Sequence, residues 1–93
     1  MSEFTDLAKQ CKQKGITVKL VSPKRIKDFA GMHDKVAKVF GYPKMKPKTI
    51  EIDRTLSIKT KVRTLKHEMV ERRLMANGKK YWPSHKVALK KER

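Results

Sequence analysis

Between Ser57 and Asn77-Gly78 the chain reads as one long helix, and that helix constrains everything around it. Ser57 supplies a hydroxyl N-cap, and Asn77-Gly78 is a strong stop signal. At about 100° per residue, Ile58, Val62, Leu65 and Met69 gather on one side. His67, Val70, Glu71 and Leu74 gather on roughly the opposite side. A helix with apolar residues on two sides belongs in the middle of a domain. The expected arrangement puts strands against the first side and a final helix against the second.

The remaining elements follow from periodicity and breakers. Phe4, Leu7, Ala8 and Cys11 predict a short helix over 3–14, closed by Gly15. Residues 16–21, rich in β-branched side chains at period two, predict a strand. Ser22-Pro23 opens a second predicted helix running to Phe40, with Ile26, Phe29, Ala30, His33, Val36, Ala37 and Phe40 as its stripe. After a connector from Tyr42 to Pro47, a second strand is expected over 49–56. Ile50, Ile52 and Leu56 should face one way, and Glu51, Asp53 and Thr55 the other. Lys79 to Trp82 forms a turn before a last helix over about 84–92. The expected fold is therefore a small, helix-dominated α+β domain, about four helices and two short strands, in one unit over residues 1–93.

Charge limits the partners. The net charge is +16, with 11 basic against 4 acidic residues in 1–46 and 14 against 5 in 47–93. A surface basic throughout attracts polyanions, nucleic acid first. The alternative is a lysine-rich solubilising surface, but an ion-pair network needs acids, and only nine are present. One cysteine, Cys11, excludes an intrachain disulfide. The polar, acidic start Met1–Asp6 does not resemble a signal peptide, and no apolar run approaches membrane-spanning length. The expected location is the cytoplasm, or a virion assembled there.

The chemistry concentrates at His67-Glu68-Met69-Val70-Glu71. Residues four apart share a helix face, so the His67 imidazole and the Glu71 carboxylate converge. His85, after the turn, is placed to reach them from the final helix. His67, Glu71 and His85 are thus candidate ligands for zinc or another divalent metal, with a fourth position open, and Glu68 is the candidate general base. Two alternatives stand beside this: a buried polar network without metal, or a solvated helix face in which Glu68 pairs with Arg72.

His67-Glu68-x-x-Glu71 resembles the active-site helix of zincin-type metallopeptidases, whose pattern is H-E-x-x-H. Ile50-Glu51-Ile52-Asp53 resembles the edge strand that zincins place before that helix to hold substrate. The zincin-like strand-helix-helix unit spans 48–92, and the longer pattern running from His67 through Glu71, Leu74, Met75, Gly78, Tyr81, His85 and Ala88 to Glu92 is similar to short phage or mobile-element proteins. The resemblance implies a metal-dependent hydrolase or a degenerate relative of one. The chain departs from the pattern where Glu71 replaces the second histidine.

His33, within the predicted stripe of the second helix, reads as a core residue unless the fold brings it near His67. Tyr81-Trp82 among lysines reads either as a plug between the last helices or as a stacking platform. The nucleic-acid candidates are Lys79, Lys80, Trp82, Lys86, Lys90 and Lys91. A helix-turn-helix reader built from the last two helices is a further alternative.

Overall fold

The computed structural model describes residues 2–27, 29–41 and 44–91. Asp28 of the predicted second helix, Tyr42 and Pro43 of the connector, and the expected end of the last helix at Glu92 lie outside them. The order of elements is α1 (Glu3–Gln13), β1 (Thr17–Val21), a 3₁₀ turn (Pro23–Ile26), β2 (Gly31–His33), α2 (Asp34–Phe40), β3 (Thr49–Asp53), α3 (Ile58–Ala76) and α4 (Tyr81–Lys91). The domain is a small α+β fold, as its sequence predicts. Its sheet is ordered β1-β3-β2, with β1 parallel and β2 antiparallel to β3.

The predicted second helix is broken. Ser22 does cap a helical turn, its side chain accepting from the Lys24 amide, but Lys27 turns left-handed at φ 54° and ends it. The chain then extends as β2, and helix resumes only at Asp34. Gly31 would be a weak point in a helix interior. In β2 the backbone instead pairs with the second side of β3, which would otherwise leave its N–H and C=O groups unmet. Gly31 is needed there because α3 passes close. A Cβ on Gly31 would lie 2.7 Å from Thr64 Cγ2 and 2.9 Å from Ile52 Cδ1. Gly31→Ala should therefore cost roughly 1–3 kcal/mol, read as a lowered urea midpoint.

β3 is shorter than expected. Asp53 ends it by accepting from both the amide and the hydroxyl of Thr55, at 2.8 and 2.7 Å. All five β3 residues are buried, so inward and outward alternation does not separate core from solvent. Ile50 and Ile52 join Cys11 and Leu65 in a core packed by α1 and α3. Glu51 faces the other way with its register partners Lys19 and Met32. Its carboxylate is held by Arg25 through two bonds of 2.8 Å. A second core joins Ile26, Met32, Val36 and Ala37. On α3, Val62 and Leu65 are buried as predicted and Met69 packs against the first core, but Ile58 is 57% exposed. It lies in the first turn of α3.

Candidate metal centre

Period two puts Gly31 and His33 on the α3 side of β2, with Met32 on the other. His33 is therefore aimed at α3, where His67, Glu68 and Glu71 are all buried. α4 packs along the same helix, buries Ser84 and Ala88, and turns His85 inward. All three histidines of the chain consequently meet one carboxylate.

Glu71 is only 2% exposed. Its Oε1 lies 2.8 Å from His33 Nε2. Its Oε2 lies 3.1 Å from His67 Nε2 and 2.8 Å from His85 Nδ1, and those two nitrogens are 3.1 Å apart. Glu68 Oε2 is 3.8 Å from His67 Nε2. Burial by itself would push the Glu71 carboxyl up. The hydrogen bonds from His33, His67 and His85 outweigh it and bring the carboxyl down to about 2 from an ordinary 4.5. The carboxylate therefore favours the folded state fully above pH 4.5, and that contribution drains away as pH falls toward 2. In metal-free protein the urea midpoint should fall over this window, and a Glu71→Gln variant should lose that part of the pH dependence.

The four residues proposed from the motif, His67, Glu68, Glu71 and His85, are brought together. His33 is the residue that sequence reasoning placed elsewhere, as a stripe residue of a continuous helix. It is instead the N-cap of α2, with Nδ1 accepting the Val36 amide at 3.2 Å. This bond fixes its chemistry. A neutral imidazole has one N–H and one lone pair. With the Nδ1 lone pair engaged by Val36, the proton sits on Nε2 and is donated to Glu71 Oε1. His33 thus orients Glu71 and has no lone pair to offer a cation. Two groups of donors in the cluster have metal-binding spacing: His67, Glu71 and His85, and His33, Glu68 and Glu71. The His33 tautomer favours the first.

A pocket of about 330 Å³ opens onto the cluster. Its walls include Phe29, Met32, Val36, Phe40, Trp82 and Leu89. Tyr81 opens α4, where the sequence predicts a turn; it stacks on His85 with centroids 5.4 Å apart, meets Phe40 of α2 edge-on at 5.3 Å and packs against the second core. Burial, then the negative charges of Glu71 and Glu68, push its phenol up and keep it protonated. Trp82 is 67% exposed at the rim. Lys79, Lys80, Lys86, Lys90 and Lys91 are exposed in the turn and along α4.

Three sequence expectations are corrected. Arg72, expected to serve Glu68, is bound to Asp34 at 2.6 Å. The solvated helix face is excluded by burial of His67, Glu68 and Glu71. The strand Ile50–Asp53 is not an edge: β3 is the middle strand, paired on both sides, and the edge strand lining the pocket is β2. The helix-turn-helix reading is weakened too, since His85 of the supposed recognition helix is turned into the domain.

The fold and site define a small α+β domain with a buried histidine–glutamate centre. No protein-family model, curated protein or solved structure matches the chain significantly.

Proposed function

We propose that this centre binds one divalent metal ion, zinc foremost, through His67 Nε2, Glu71 Oε2 and His85 Nδ1, and that it serves metal-dependent hydrolysis. The observation that carries the reading is the mutual approach of those three atoms, 2.8–3.1 Å on every edge. In the metal-free protein both nitrogens can donate to Oε2, but their N–H groups then converge on one oxygen from positions only 3.1 Å apart, a crowded arrangement. A cation relieves that crowding by accepting all three lone pairs. Donors about 2.0–2.1 Å from a tetrahedral ion lie about 3.3 Å apart, close to the spacing here.

Two histidines and a glutamate are also a ligand set of catalytic zinc sites, so Glu71 in place of a second helical histidine is compatible with that chemistry. His33 supports it from behind by holding Oε1, as partners of ligating groups do. When bound, a divalent ion supplies Lewis acidity at the pocket floor. Glu68, beside it, would take a proton from the attacking water and return it to the leaving group. The apolar walls suit a substrate with an aliphatic or aromatic group next to the hydrolysed bond. Hydrolase activity and the likeness to zincins both belong to this proposal.

The test begins with the metal content of protein purified without a histidine tag. About one zinc per chain is expected, lost in a folded His67→Ala variant. Glu68→Gln should keep the zinc and lose turnover of a peptide library. Protein that takes up no divalent metal even after zinc is added would leave the cluster as a buried polar network and overturn the reading.

A further inference from the structure

The sheet's other face, away from α3, carries a second concavity that the metal centre does not use. It has a volume of about 840 Å³ and lies between β1, α2 and the connector before β3. Lys19, Lys35, Lys38, Lys44 and Lys46 line it. Two acids, Asp34 and Glu51, also reach it, but both are already matched by arginines, Asp34 by Arg72 and Glu51 by Arg25. Among the described residues none of the five lysines has an ion-pair partner. Their charge is therefore uncompensated inside a concave wall, where the field of like charges is focused.

The wall is also held in shape. Arg25 donates to the Lys44 carbonyl at 2.9 Å while gripping Glu51, and Asp34 accepts the Lys48 amide at 3.1 Å while gripping Arg72. Lys44 and Lys48, on either side of Met45–Pro47, are thus each pinned by an arginine–carboxylate pair. Between Lys44 and Lys46, Met45 packs into the second core, which leaves both neighbouring lysines exposed. On α2, Lys35 and Lys38 are three apart and share a face. Lys19 completes the rim from β1, beside Glu51 in the register.

We infer that this groove binds the phosphodiester backbone of nucleic acid, through Lys19, Lys35, Lys38, Lys44 and Lys46, and that it does so without reading sequence. Lysines are point charges that suit phosphate, and among the described residues that line the groove there is no aromatic ring or side-chain amide to read a base. The inference is independent of the metal reading, since the two sites lie on opposite faces of the sheet. It also differs from the α4 surface that the sequence suggests, where the lysines stand on a convex helix.

Fluorescence anisotropy with two labelled 20-base-pair DNA duplexes of unrelated sequence tests it. The unaltered protein should bind both within roughly threefold, with affinity falling steeply in salt. A triple variant, Lys35→Gln, Lys38→Gln and Lys46→Gln, should lose at least roughly tenfold in affinity, and its salt slope should flatten by about 0.9 for each phosphate contact removed. A charge-matched triple on the other surface, Lys79→Gln, Lys86→Gln and Lys90→Gln, controls for net charge. A loss at least about threefold greater in the groove triple supports the groove. Equal or reversed losses overturn it. Absence of duplex binding at low salt also overturns it, whether or not the protein then adsorbs to phosphatidylserine vesicles.

Discussion

Glu71→Ala is expected to destabilise the metal-free domain by about 3–5 kcal/mol, because it strips the shared partner from three histidines, one of them wholly buried. His33, His67 and His85 would be left around a void, with the His33 N–H pointing into it. Domains of this size have stabilities of roughly 5–10 kcal/mol, so the variant should sit near the edge of folding. Urea unfolding followed by circular dichroism measures the effect. Glu71→Gln separates shape from charge. It keeps the volume and can still accept from His33, so the loss should be smaller, about 1–3 kcal/mol. Yet it removes the anionic ligand, and zinc uptake should fail. If Glu71→Ala unfolds at the same urea concentration as the unaltered protein, the carboxylate does not organise the cluster.

His33→Ala should cost about 2–4 kcal/mol by two separable routes. The cap on the Val36 amide is lost, worth about 0.5–2 kcal/mol. Glu71 Oε1 also loses its buried donor, at about 1–3 kcal/mol. His33→Asn divides them. Asparagine is a good N-cap, so α2 should be retained, but its short side chain does not reach Glu71 across the 2.8 Å contact that the imidazole makes. The asparagine variant should therefore recover part of the stability while its zinc affinity stays about 10–100-fold weaker than that of the unaltered protein, the usual penalty for removing a group that orients a ligand. Full zinc affinity in His33→Asn would show that His33 serves only the helix cap.

How much of this was legible in advance differs from element to element. α3 was, because Ser57 and Gly78 are local signals and a 19-residue helix has room to establish its period. The convergence of His67 and Glu71 was legible for the same reason, since one helical turn fixes it. That His85 returns to them was a reasonable expectation from a short turn between two helices. The break in the predicted second helix was not. The stretch from Ile26 to Phe40 has an apolar period of 3.6, and only Gly31 hints at a fault in it.

What local chemistry settles in this chain is thus the composition of the site on α3, the caps and stops of the long helix, and the excess of positive charge. What tertiary structure alone settles is which charges are used and what His33 does. β2 exists because the backbone of β3 needs a partner on its second side, and Gly31 lets that strand lie against Thr64. That pairing, 17 residues away in sequence from Ile50, carries His33 to Glu71. Likewise, 25 lysines and arginines spread along a chain look alike until packing assigns Arg25 and Arg72 to buried carboxylates and leaves five lysines around one groove. Hydrogen-bond pairing and charge matching between distant segments have no signature in local periodicity, because they depend on which surfaces the cores bring together.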